Sequence, residues 1–245
     1  MLVVPEAGRL VIVTQHDHAR LAGELLSLWR ADGLPGHPRR DELLFAVREH
    51  DNGWREADSA PRADPESGRP LDFRGVPREA RIEIWVRGAA RHAGGRPWPA
   101  LLIAHHALAL HRDRRGEEVW DEELFDPLDE LYETLLGRSG GDPDEARAEA
   151  AADYRFLELA DALSLAACGR WREPRAGGGY RWRYRPGGAG VAGELELEPF
   201  PLAGATTFRL PCRAIPERRY RGDADLGGEL AAARWTEVRI RLTPT

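Results

Sequence analysis

Among its 245 residues the chain has no lysine: all 35 of its basic residues are arginine. With frequent Ala, Gly and Pro, this bias marks a GC-rich coding sequence more than an activity, and no function is read from it. Cysteine is nearly as scarce. Cys168 and Cys212 are too few for a disulfide framework and form no Cys-x-x-Cys pair for zinc or redox work, so a reducing cytoplasm is the expected compartment. Long apolar runs are missing too. No window approaches the roughly 18 apolar residues of a membrane span, and MLVVPEAGRLVIVTQ lacks a basic start followed by a long apolar stretch, so the expectation is an unexported chain with no membrane partner. A basic excess is also absent, with 41 acidic groups against 35 basic ones and a net charge of -6. That balance argues against nucleic acid and leaves a small molecule as the expected partner.

What is present is enough to fold: 42% of the chain is hydrophobic, which supports a real core. LVIVT predicts a short strand that leads into a helix, HARLAGELLSLW, whose stripe runs through His18, Leu21, Leu25, Leu28 and Trp29, with Asp17 or Thr14 as cap. DELLFAVREHDNGW repeats the spacing through Leu43, Val47, His50 and Trp54, with Gly53 as the stop. Residues 57–77 carry Pro61, Pro65, Gly68, Pro70, Gly75 and Pro77 and predict a long ordered loop of the kind that often serves function. Further helices are expected at REARIEIWVRGAARHA, PALLIAHHALALHRD, EELFDPLDELYETLLGR and DEARAEAAADYRFLELADALSLAAC. The segment ALLIAHHALAL is apolar nearly all round and predicts a central buried helix. From about Gly169 the texture changes to YRWRYRP, GELELEPF, TTFRLPCRAI and WTEVRIRLTP, alternating segments separated by Gly177–Gly179 and Gly187–Gly190. The expected fold is mainly α, a helical bundle over residues 1–169 with a short N-terminal strand. A C-terminal antiparallel β subdomain over 170–245 is appended to it, making the whole α+β.

The informative residues are polar groups on inward helix faces: His18, the pair His50 and Asp51, the pair His105 and His106, and Asp161, four residues from both Leu157 and Leu165. A buried carboxylate costs several kcal/mol unless it is neutralised, paired or bound to a cation. Imidazoles and carboxylates together suit one or two ions of Zn, Mn or Fe. Blander readings exist for each. His50 also suits a helix C-terminus ahead of an Asp-Asn-Gly turn, His18 and His106 suit core hydrogen bonds, and an arginine from elsewhere would satisfy Asp161. Gln15, Asp17, Asn52, Trp54 and Asp58 are candidates for a surrounding pocket or for holding the histidines' second nitrogens. His16 and His111 are expected at the surface, and His37 and His92 in polar connections. Trp54, Trp85, Trp98 and Trp120 are expected to fill packing space.

An early helical His18, the adjacent His50 and Asp51, a further His, and Asp161 within LADALSL together resemble the HD-domain superfamily. That resemblance implies an HD-like helical domain in which His18, His50, Asp51 and Asp161 ligate metal. His106, or less readily His105, would be the extra ligand of members with two metals. TQHDHARLAGEL, EHDNGW, DPESGRP, IEIW and the β region opening near EPFP also resemble DUF3891, an uncharacterised bacterial family, over nearly the whole chain, and this brings no known reaction. The chemistry expected of such a cluster is metal-assisted hydrolysis of a small phosphate ester, with Asp51 or a nearby carboxylate orienting the water. Arg20, Arg48 and Arg55 lie close in sequence to the ligands and are the candidate phosphate cations, Arg20 and Arg55 foremost. A di-iron oxygenase on the same scaffold is one alternative. A non-catalytic metal-binding protein with closed coordination, its β unit a binding or dimerisation surface, is another. Association into a homo-oligomer stays open.

Overall fold

Ala7 and Gly8 both adopt positive φ, 48° and 77°, and turn the chain back on itself between β1 (Leu2–Glu6) and β2 (Arg9–Val13). This is the left-handed pair that a tight two-residue hairpin requires. The computed structural model describes residues 1–111, 122–187 and 192–245. Thr14 ends the hairpin and starts α1 (Gln15–Ser27), its hydroxyl accepting the Asp17 N–H at 3.0 Å. The helical body continues with α2 (Arg40–Glu49), α3 (Arg55–Ser59), α4 (Arg78–Ala93) and α5 (Pro97–Ala109). It is completed by α6 (Glu122–Arg138) and α7 (Pro143–Cys168), the latter capped by Asp142. Every residue of α5 from Trp98 to Ala107 is buried, as its all-round apolar sequence predicts.

After α7 come β3 (Arg175–Gly177), β4 (Tyr180–Pro186), β5 (Gly193–Glu198), β6 (Thr206–Pro216), α8 (Asp223–Ala232) and β7 (Trp235–Pro244). All seven strands form one sheet in the order β1-β2-β6-β7-β5-β4-β3. Every pairing is antiparallel except β5 with β7. This overturns the expectation of a helical bundle carrying a small antiparallel appendage. The curled, mixed sheet contains the N-terminal and C-terminal strands together, and it is a layer against which the helices pack. The physical reason is strand pairing at long range. A two-stranded hairpin is marginal alone, and β2 gains its second partner from β6 through pairs such as Leu10 with Ile215.

Two cores follow from this topology. The larger joins the inner faces of α1, α2 and α4–α7 to the sheet face that carries Trp182, Leu195, Leu197, Phe208, Leu210 and Leu242. The smaller packs Leu10, Ile12 and Ile215 against Leu226 and Leu230 of α8. The outer sheet face is polar, with Arg181, Arg183 and Arg185 of β4 opposite Glu198, Glu196 and Glu194 of β5. Of residues 57–77, expected to be loop throughout, 57–59 complete α3 and 60–77 form an ordered loop with one 3-10 turn at Phe73–Gly75. The loop is tied to the segment before α8 by Tyr220 N–H donating to Gly68 O at 2.8 Å, to the first residue of α8 by Ala63 N–H donating to Asp223 at 2.7 Å, and to Met1 by Phe73 N–H donating to Met1 O at 3.0 Å. Trp120 and residues 188–190 of the second glycine cluster lie outside the described residues. Among the described residues no helix is long and apolar enough to cross a membrane.

Candidate metal centre

The chain leaves α2 through His50 and Asp51 into a single 3-10 turn, Asn52–Trp54, pressed onto α4. Gly53 permits that contact, because a Cβ there would fall 2.0 Å from the Ile84 carbonyl oxygen. Polar clamps then hold the turn. Arg87 donates to Gly53 O at 2.8 Å, Arg91 to Asn52 O and Oδ1 at 2.8 Å each, and Asn52 Nδ2 to Gly88 O at 3.0 Å. His50 and Asp51 are thereby fixed at the crossing of α1, α2, α5 and α7.

Three imidazoles converge there, each tied at Nδ1 and turned inward at Nε2. His18 on α1 has Nδ1 2.9 Å from Ser164 Oγ and Nε2 2.8 Å from Asp51 Oδ2. Because the Ser164 hydroxyl donates to Asp161 O at 2.9 Å, its oxygen accepts from His18 Nδ1–H. His50 Nδ1 donates to Val47 O at 2.7 Å, and its Nε2 stands 3.2 Å from Asp161 Oδ1. His106 on α5 has Nδ1 3.3 Å from the Tyr154 hydroxyl and Nε2 4.0 Å from Asp161 Oδ2. The ring centres of His18 and His106 lie 5.1 and 5.0 Å from that of His50. Ligand atoms of His18, His50 and Asp51, and of His50, His106 and Asp161, lie within 4.8 Å of one another in each set, all on buried residues. His105 turns the other way, onto Tyr132 at 3.2 Å, so α5 offers His106 to the centre.

Both partners of His50, a backbone carbonyl and a carboxylate, only accept. The imidazole therefore carries two protons, and its pKa is pushed up to about 9: burial alone lowers it, and Asp51 and Asp161 more than reverse that. Asp161, disfavoured as an anion by burial, is held well below the usual carboxylate range by His50, His106 and His18, and Asp51 is lowered in the same way by His50 and His18. Burial drops His106 to about 4, so it is neutral and offers a lone pair. Among the described residues Asp51 and Asp161 pair only with imidazoles and with the Gln15 amide. The two buried carboxylates thus face imidazole nitrogens and an amide, an arrangement whose charge balance rests on protons that a cation can displace. This donor set could hold a divalent cation, which would take the place of the His50 Nε2 proton and pair with both carboxylates. The Nδ1 partners Ser164, Val47 and Tyr154 are of the kinds that orient ligating histidines.

Asp51, His106 and Asp161 also line a cavity of about 210 Å³, together with Gln15. Trp54, Phe73, Trp85, Leu110 and Leu165 form its apolar wall, and Arg81 and His111 complete it. The space is smaller than the roughly 300–1,000 Å³ of typical ligand pockets. The sequence-derived cations lie elsewhere. Arg20 sits near Asp17 at 3.6 Å and Glu24 at 3.7 Å, Arg55 pairs with Glu49 at 3.1 Å beside His16, and Arg48 is exposed at the crossing with Gly23. Among the described residues Arg81 is the arginine that reaches the cavity. His111, expected at the surface, is buried between Trp85 and Phe125, with ring centres 5.0 and 5.1 Å away. His37 pairs with Asp153 at 2.9 Å, and His92 lies within α4, 3.7 Å from Glu49. Arg81 and His111 had no distinguishing signal, one being an arginine in a polar helix turn and the other the residue just past an apolar run.

No curated protein and no solved structure matches the chain, so the likeness to the HD-domain superfamily rests on the pattern of residues alone. A family model described as "protein of unknown function (DUF3891)" matches residues 1–217. The chain belongs to the DUF3891 family.

Proposed function

We propose that the protein is a metal-dependent hydrolase of a small phosphomonoester. The observation that carries the reading is the convergence of three Nε2 atoms and two carboxylates, each imidazole anchored at Nδ1, beside a cavity that Asp51, His106 and Asp161 line and that an arginine reaches. His18, His50, Asp51, His106 and Asp161 would hold one or two ions of Zn, Mn or Fe. When bound, such an ion supplies Lewis acidity and a water nucleophile at neutral pH.

The chain's own groups divide the remaining work. Arg81 faces the phosphoryl group as a planar cation suited to two parallel hydrogen bonds. Trp54, Phe73 and Trp85 exclude water and pack the organic part of the ester. Asp51 Oδ2 is occupied by His18 and by Gln15 Nε2 at 3.0 Å, which leaves Oδ1 to accept a proton from the attacking water. His111, on the same wall, is placed to return a proton to the departing alkoxide.

The test is elemental analysis of the purified protein beside an Asp161→Ala variant, coupled to hydrolysis of p-nitrophenyl phosphate. The expected result is bound divalent metal and turnover in the parent protein and loss of both in the variant. Equal metal content in the two proteins removes the basis for the reading.

A further inference from the structure

Gln15 carries an unmet requirement. Its backbone N–H donates to Asp58 Oδ2 at 2.6 Å, and Asp58 is itself buried and paired with the Met1 ammonium. Its side-chain Nε2 donates to Asp51 Oδ2 at 3.0 Å. A carboxylate only accepts, so this bond fixes which end of the amide is nitrogen. The oxygen, Oε1, is left buried without a hydrogen-bond partner in the protein. The residue is 2% exposed, is pinned at both backbone and side chain, and lines the cavity. The two ties hold the amide in place, so a partner for Oε1 has to come from the cavity.

A buried acceptor left unmade is costly, and the cost returns as discrimination between ligands that satisfy it and ligands that do not. We infer that Gln15 makes the cavity select an occupant that brings its own hydrogen-bond donor, so that a tetrahedral oxyanion with an O–H is bound in preference to one without. Hydrogen phosphate has such a proton at neutral pH and sulfate has none, although the two are close in size and charge. The cavity therefore binds inorganic phosphate over sulfate, and Gln15 is the specificity-determining residue. The inference deepens the phosphomonoester reading and rests on it. The same acceptor would hold a protonated phosphoryl group, or the attacking water, in register with Asp51.

The experiment is calorimetric titration of the intact purified protein, reconstituted with zinc, using inorganic phosphate and sulfate separately at pH 7. The parent protein is expected to favour phosphate by roughly tenfold or more. In Gln15→Met, close in length and without the acceptor, the ratio is expected to fall toward one, mainly through weaker phosphate binding. Equal binding of the two anions by the parent protein overturns the inference without recourse to any variant, as does a ratio unchanged in Gln15→Met. If neither anion binds the parent protein, the phosphomonoester reading falls and takes the inference with it. If both bind without discrimination, only the role given to Gln15 falls.

Discussion

His50 Nδ1 lies 2.7 Å from the carbonyl oxygen of Val47, the residue three positions earlier on α2. This local bond costs little to form, because both groups belong to one helix end. Its consequence is long-range: Nε2 is aimed at Asp161, 111 positions away in the chain. Ser164 serves His18 from α7 in the same manner, and Tyr154 serves His106, so each ligand nitrogen is oriented by a partner outside the ligand set.

Ser164 is the most testable of these anchors. Ser164→Ala removes the acceptor for His18 Nδ1 while leaving every candidate ligand in place, and loss of such a partner typically weakens metal affinity 10–100-fold. Competition with a chromophoric chelator should show a loss of about that size with the far-ultraviolet circular dichroism unchanged. Undiminished affinity would mean that His18 is held by packing alone.

Stability of the metal-free protein should peak near neutral pH. His106 is depressed to about 4, so between that pH and the ordinary 6.5 the unfolded chain takes up a proton there that the folded chain refuses, and stability rises with pH. His50 is raised to about 9, so its contribution is complete below 6.5 and is lost as the pH rises through about 9. Asp161, depressed by its imidazole partners, adds stability above the usual carboxylate range that is lost in acid. Urea midpoints from pH 4 to 9 in the presence of a chelator should therefore pass through a maximum close to 6.5. Added zinc should abolish the alkaline decline, since ligation needs deprotonated nitrogen. A metal-free curve that climbs steadily to pH 9 would contradict the charge state assigned to His50.

The convergence of His18, His50, Asp51 and Asp161 is more legible in the sequence than the fold around it. Helical spacing puts His18, His50 and Asp161 on apolar faces, and a mid-helix Asp between Leu157 and Leu165 has few outcomes other than pairing or ligation. The choice between His105 and His106 was not legible, because α5 is apolar all round and has no outer face to exclude either one. The sheet departs from the expectation for a different reason. Alternation identifies β2 and β6 as strands, yet the pairing of Leu10 with Ile215 depends on tertiary closure that no local pattern records. Gly227 and Gly228 hid α8, whose Leu226 and Leu230 form the i,i+4 stripe that covers the hairpin. The sequence marks Gln15 only as a pocket candidate, since its unpartnered oxygen is visible only once Asp51 has claimed the nitrogen.

Gly53→Ala probes the mounting of the centre. The added methyl would meet the Ile84 carbonyl at 2.0 Å, a backbone atom that cannot rotate aside, so α4 and the 52–54 turn must separate. The expected cost is about 3 kcal/mol or more, at the upper end for overpacking. Gly88→Ala, whose methyl would lie 3.1 Å from Gly53 N, should cost less. Urea unfolding of both variants gives the comparison, and a smaller loss for Gly53→Ala than for Gly88→Ala would show that the turn is not held against α4 as described.

Arg81 separates metal binding from anion binding. It lines the cavity without contacting any of the five converging groups among the hydrogen bonds and ion pairs described. Arg81→Met keeps the length and apolar stem while removing the charge, so metal content should stay at the parent level. Affinity for inorganic phosphate should fall by roughly 10–100-fold, the size expected for losing a charge-assisted pair of hydrogen bonds. If phosphate turnover is the activity, the defect should appear mainly in KM when the arginine holds ground state and transition state alike, and in kcat as well when it favours the transition state. Retained phosphate affinity in Arg81→Met, with metal still bound, would place the phosphoryl group away from this wall of the cavity and require another cation to meet it.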